Sequence, residues 1–271
     1  MQTVQDLAPL IAMLLASSAF AGLLAGLLGV GGGIVLVPVY LTIFTAEGYG
    51  GGEIMRVCLA TSLATIIATS TRSVMAHHRK GAVDWHILRT WAPFIAVGAL
   101  FGVLIVSKLS SDTLKLIFAV LVCGIALYMS FGKSSWRIAE AMPAGPIRAV
   151  WAAMIGFLSV LLGIGGGSLA VPTMTLHNVP IHRAVATAAG FGIAIALPSA
   201  IGFLLTTVPG APPYTLGAIN LPAFFITISM TLITAPFGAA LAHKIDPKPL
   251  KRIFGGFLML VALKMLYNAI F

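Results

Sequence analysis

The sequence predicts an all-α polytopic membrane protein, on three observations. Its 271 residues include 16 basic and 7 acidic side chains, 8% of the chain, against roughly 25% in an ordinary soluble domain. Apolar residues make up 59%, and the mean hydropathy is +1.04. Apolar runs of membrane-spanning length recur from end to end. So few charges cannot cover a water-soluble globule of this size. A soluble enzyme, a secreted disulfide scaffold and a disordered chain are therefore excluded.

A span needs about 20 apolar residues at a rise of about 1.5 Å each. On that scale eight full spans fall at 8–28, 54–76, 86–106, 113–131, 147–163, 182–206, 219–242 and 250–270. Two shorter apolar pieces, 34–45 and 168–177, each follow a glycine cluster and are too short for a straight crossing. The first run is not expected to be a signal peptide, which needs a basic leader. The first basic residue is Arg56, and the leader carries only Asp6. Residues 8–28 are thus expected to be a retained helix whose N-terminus faces away from the cytoplasm. The net charge of +9 sits in short clusters between apolar runs. This is the pattern of cytoplasmic loops rather than of a nucleic-acid surface.

The chain repeats itself. Residues 29–38, GVGGGIVLVP, recur as GIGGGSLAVP at 163–172, an offset of 134. GAVD at 81–84 matches GAIN at 217–220, an offset of 136. Lys108, Leu114, Lys115, Ile117 and Phe118 match Lys244, Leu250, Lys251, Ile253 and Phe254 at the same offset of 136. Two homologous halves, 1–135 and 136–271, result. Their loop charges point in opposite directions. The loop with His77, His78, Arg79 and Lys80 is basic, whereas its counterpart at 207–218 has no charge. The next pair reverses the bias: net +1 over Lys108, Asp112 and Lys115, and net +3 over Lys244, Asp246, Lys248, Lys251 and Arg252. Opposite bias favours inverted repeats of five plus five crossings, in which the short pieces cross. Re-entrant short pieces would instead make the halves parallel.

Three successive glycines, Gly31, Gly32 and Gly33 or Gly165, Gly166 and Gly167, break a helix at membrane depth. The next helix starts with unpaired N–H groups and a partial positive charge. Such groups are costly in hydrocarbon unless they line a cavity or meet a partner, and an anion is a natural partner. Pro38 and Pro172 sit at matched places and would kink each short helix. Helix packing is the competing reading, and Gly22 with Gly26 already forms a GxxxG face. Two matched copies favour the anion. A Rossmann or Walker element is excluded, because no strand pattern precedes the glycines and no GK[ST] comes after them.

All seven acids (Asp6, Glu47, Glu53, Asp84, Asp112, Glu140 and Asp246) fall at loops or helix ends. That argues against a mid-membrane carboxylate relay or a carboxylate-lined cation site. Neither HExxH nor GxSxG is present. Cys58 and Cys123 lie in apolar runs without metal-binding spacing. Basic groups do enter the spans: Arg56 and Arg183 begin matched helices, Arg72 is near a cytoplasmic end and Lys264 is deep in the last span. A transported anion would compensate their charge; snorkelling and interface anchoring are the alternatives. Thr61, Thr65, Thr69 and Arg72 share one helical face, bordered by Ser62 and Ser70. Arg183, Thr187, Gly190, Ala194 and Pro198 have similar spacing. Such hydroxyls either bind an oxyanion or pack helices. His77 and His78 either carry protons at the cytoplasmic mouth or are merely solvated.

At the paired GxGGGxxxVP elements, the helix starts at 56–63 and 182–187, and the basic loop before Gly81, the chain resembles the sulfite exporter TauE/SafE family over essentially its whole length. The resemblance implies a bacterial inner-membrane permease for small anions, notably sulfite and organosulfonates. The helix starts depart from equivalence. One more residue separates Arg56 from Thr61 than Arg183 from Thr187, and Ala188 stands where the first half has Ser62. The expected function is a secondary transporter of a small sulfur-containing anion, working as an exporter by alternating access. An anion channel, or a membrane enzyme or assembly partner of sulfur metabolism, is the alternative. The candidate binding residues are Gly31, Gly32, Gly33, Arg56, Thr61, Ser62, Gly165, Gly166, Gly167, Ser168, Arg183 and Thr187. The expected partners are the anion, a coupling proton or ion, and the bilayer. No catalytic residue, metal, cofactor or nucleic acid is expected.

Overall fold

A computed structural model of the chain describes the backbone of residues 4–132, 136–245 and 247–270. It describes their side chains except at 4–7, 247–251, 268 and 270. Ten α-helices and one short hairpin make up the described residues. In chain order they are α1 (Val4–Leu28), α2 (Gly33–Ala46), α3 (Ile54–His78), α4 (Trp85–Val106), α5 (Ser111–Phe131), α6 (Gly145–Leu162), α7 (Gly167–Leu176) and α8 (Ile181–Leu204). The hairpin strands β1 (Thr215–Leu216) and β2 (Ile219–Asn220) precede α9 (Leu221–Ala242) and α10 (Pro247–Ile270). The all-α polytopic fold is therefore as expected.

Among the described residues seven helices are long and apolar enough to span a membrane: α1, α3, α4, α5, α6, α8 and α9. The eighth expected span, 250–270, falls in α10, whose first side chains lie outside the described residues. The two short pieces are helices of 14 residues (α2) and 10 residues (α7). Residues 133–135, at the expected boundary between the halves, and Asp246 also lie outside the described residues.

Helix ends obey local chemistry. Asp84 caps α4 by accepting the His86 and Ile87 N–H groups at 3.1 Å each. Asn220 caps α9 in the same way, accepting the Ala223 N–H at 3.1 Å. Ser110 caps α5. The N-cap of α2 is Gly32 (φ 79°, ψ −15°), and that of α7 is Gly166 (φ 78°, ψ −18°). Both are left-handed, a region that disfavours residues with a Cβ.

The core is the α3–α8 pair. Over their most apolar stretches these helices are 83% and 72% buried, against 28–44% for the other five spans. Around that pair α1 lies along α9, α4 along α6, and α5 along α10. Glycines let the outer pairs approach: a Cβ at Gly156 would run into the Ile95 carbonyl. Gly22 and Gly26 face α9, so the GxxxG face packs as read from the sequence. Outward positions such as Phe101, Leu104, Val120 and Phe237 are exposed and apolar, while Thr61, Ser62, Thr65 and Thr69 are buried. This inside-out polarity suits a surface facing lipid.

The ends of the central helices meet in two clusters. At one, His77 (end of α3) lies 3.0 Å from the Gly26 carbonyl of α1 and 3.2 Å from His243 at the end of α9. His182, at the start of α8, stacks on His243. At the other, the Met55 N–H (start of α3) donates to Ser111 Oγ of α5 at 3.1 Å. The Asn220 N–H at the start of α9 donates to Thr61 Oγ1 at 2.9 Å.

Candidate functional site

Both glycine turns meet in the middle of the bundle. The Gly165 N–H donates to the Val30 carbonyl at 3.4 Å. A Cβ on Gly31 would come within 2.8 Å of Gly165 Cα. A Cβ on Gly33 would strike the Gly163 carbonyl, and one on Gly167 the Gly29 carbonyl. Only glycine permits this backbone-to-backbone approach. Gly31, Gly33, Gly165 and Gly167 thus meet at one crossing of the chain, while Gly32 faces Ala21 and Gly166 faces Ile195.

The two turns differ in what they face. The first residues of α2 are enclosed: Gly33 and Ile34 are buried, and Ser62 Oγ donates to the Gly163 carbonyl at 2.7 Å beside them. The first turn of α7 borders a cavity of about 60 Å³ whose lining is largely apolar, with Leu27, Val30, Val171 and Val185 among it. Gly167 and Ser168 line it, with His77, His182, His243 and Thr175. Ser168 Oγ is buried and has no partner among the described residues. The first N–H groups of a helix have no acceptor within it, so α7 points donors at that space.

The remaining predicted residues serve other contacts. Thr61 and Thr187 form a matched pair: Thr61 Oγ1 accepts the Asn220 N–H, and Thr187 Oγ1 accepts the Asp84 N–H, each at 2.9 Å. Each hydroxyl holds the capping residue of a helix from the other half of the chain. Five residues before them stand Arg56 and His182. The basic groups also have resident carboxylates. Arg56 is buried and pairs with Glu53, with a second contact to the Leu109 carbonyl at 3.4 Å. Arg183 pairs with Asp84 at 3.3 Å and is half exposed. An anionic cargo is not needed to offset either charge, because Glu53, just before α3, and Asp84, the N-cap of α4, lie within reach.

The hydroxyls of the threonine stripe have partners within the protein. Thr65 Oγ1 donates to the Ser62 carbonyl at 2.7 Å, and Thr69 Oγ1 donates to Thr231 Oγ1 of α9 at 3.0 Å. Lys264 is exposed on α10. No group of three or more metal-ligating side chains occurs among the described residues.

Sequence reasoning does not place His182 or His243 in a site. Three of the six histidines converge here from α3, the start of α8 and the end of α9. Their only sequence signal is that each stands at the end of an apolar run. The His243 imidazole is held below the usual histidine range by partial burial, then by the nearby Lys80 and His182 charges.

Residues 14–265 match the family described as Sulfite exporter TauE/SafE. This chain belongs to the TauE/SafE family. A "Probable membrane transporter protein" of Haemophilus influenzae is 32% identical over 251 residues, covering 91% of this chain and 94% of that protein. A protein of the same description from Methanocaldococcus jannaschii is 27% identical, covering 95% and 96%. One from Bacillus subtilis is 26% identical, covering 93% and 95%. No solved structure matches. This TauE/SafE chain is therefore a multi-pass membrane protein of a transporter family, and its glycine crossing falls within the matched residues.

Proposed function

We propose that the protein is a secondary transporter that exports a small sulfur-containing anion, such as sulfite or an organosulfonate, across the bacterial inner membrane. The observation that carries this reading is the crossing of the two glycine turns, with the α7 donors and Ser168 Oγ opening on a cavity. Backbone N–H groups replace an anion's water shell without adding fixed charge, so the empty site remains tolerable in the bilayer. The basic loop at 77–80 puts this cavity on the cytoplasmic side. A negative interior drives anion efflux by about 2.3 kcal/mol per charge per 100 mV. A nucleotide-binding motif is lacking in the sequence, so ion or potential gradients supply the energy.

Residues 1–135 and 136–271 act as inverted repeats. Exchanging the halves turns the α1–α9 contact into the α6–α4 contact, and the Thr61–Asn220 bond into the Thr187–Asp84 bond. Alternating access then consists of one half rocking on the other about the α3–α8 core. The space around the first turn of α2 is filled where that of α7 is open, which suits a state open to the cytoplasm.

Proteoliposomes test the function. Sulfite, an alkylsulfonate, sulfate and a potassium control are supplied in turn to the purified protein. Saturable flux of a sulfur oxyanion supports the reading. Cation flux alone, or chemical turnover of the anion, overturns it.

A further inference from the structure

We infer that the cavity beneath α7 is a proton-linked oxyanion site, in which Ser168 Oγ and the first N–H groups of α7 hold the anion while the His77–His182–His243 cluster takes up a proton. This inference rests on the transport reading and names the chemistry of its cytoplasmic site. The donors converge from one helix start: Gly166 in the left-handed conformation ends the turn, and Gly167 and Ser168 come next with unsatisfied N–H groups. Independently, Ser168 is 96% buried and lines the cavity, and its Oγ is unpartnered among the described residues. A buried hydroxyl without an acceptor costs stability, so an oxyanion that accepts from it fits there.

The histidines supply the charge. His77 Nδ1 lies 3.2 Å from His243 Nε2, the other His77 nitrogen meets the Gly26 carbonyl at 3.0 Å, and His182 stacks on His243 at 5.9 Å between centroids. Several packed elements bring further groups to the cluster. From the end of α3 comes Lys80, close enough to act on His243. From α5 comes Tyr128, which lines the same cavity. In the sequence Arg183, paired with Asp84, adjoins His182, and Lys244 adjoins His243. From α1 comes only the Gly26 carbonyl. Among the described residues no carboxylate lines the cavity. Partial burial first, and then the nearby Lys80, set the empty site against a proton on His243. A bound anion removes that resistance, so each ion favours binding of the other. Arg56, five residues before Thr61, is tied to Glu53, so the other half carries no such switch.

Isothermal titration of the purified full-length protein with methanesulfonate tests this. That anion keeps its single charge throughout the histidine range. Binding at about pH 5.5 is expected to be at least about tenfold tighter than at about pH 8. Titrations in two buffers of different ionisation heat should show net proton uptake. His182→Gln and His243→Gln together should flatten the pH dependence. Ser168→Ala should weaken binding by about tenfold, and Ser168→Thr, which keeps the hydroxyl, should restore most of it. Binding that ignores pH and takes up no proton overturns the inference, as does absence of binding at both pH values. So does Ser168→Ala binding like the parent. Flux in vesicles with pH-independent binding sinks this inference and leaves the transport reading intact. Proton-linked binding without flux does the reverse.

Discussion

Gly32 and Gly166 hold φ near +78°, where a Cβ-bearing residue is strained, and a side chain at either meets a close neighbour. Gly32→Val would press on the Ala21 carbonyl, and Gly166→Val on the Ile195 side chain. Each variant is expected to insert into the membrane, as protease mapping would check, yet to lose flux in proteoliposomes. Normal flux in both would reduce the turns to packing devices. Ser62 offers a stability test: its hydroxyl is the partner of the buried Gly163 carbonyl, so Ser62→Ala should lower unfolding free energy by about 1–3 kcal/mol. A denaturant midpoint equal to that of the parent would show that the carbonyl finds another donor. At this scale the glycines were legible, because no other residue supplies that backbone. The roles of Thr61, Thr187, Arg56 and Arg183 were not. Two of their partners, Asn220 and Asp84, are more than a hundred residues away, and spacing along a helix cannot name them.

The long helices were legible from apolar run length, and the short ones from the glycines before them. Their neighbours were harder to read, because lipid-facing and protein-facing positions are both apolar. Gly98 and Gly156 mark one interface, where α4 and α6 touch through backbone. Gly156→Leu should force these helices apart and cost about 1–3 kcal/mol, measured as a lower thermal midpoint in detergent. An unchanged midpoint would mean that the contact is slack. Between α3 and α9, the Thr69–Thr231 bond accounts for part of the polar stripe. A double-mutant cycle with Thr69→Val and Thr231→Val should give a coupling of about 0.6 kcal/mol. Coupling near zero, with flux lost in Thr69→Val alone, would move Thr69 from packing to cargo binding.

For the whole molecule, the charge pattern carried most of the information. Scarcity of charge marks a membrane protein, and the split of basic loops predicts inversion. The resident pairs Arg56–Glu53 and Arg183–Asp84 show that some of the excess positive charge is balanced within the chain. The cavity under α7 gathers three histidines with Lys80 nearby and no acid. Inversion has its own test: single cysteines at Arg79→Cys and Pro213→Cys should label with an impermeant maleimide from opposite sides. Labelling from one side would make the halves parallel. The central claim, a carrier of small sulfur anions, is tested most directly by counterflow. Vesicles loaded with unlabelled sulfite are diluted into a trace of radiolabelled sulfite. A carrier predicts transient accumulation of label above its equilibrium level, saturating with internal sulfite. Label that only equilibrates, or that never enters, would contradict the account.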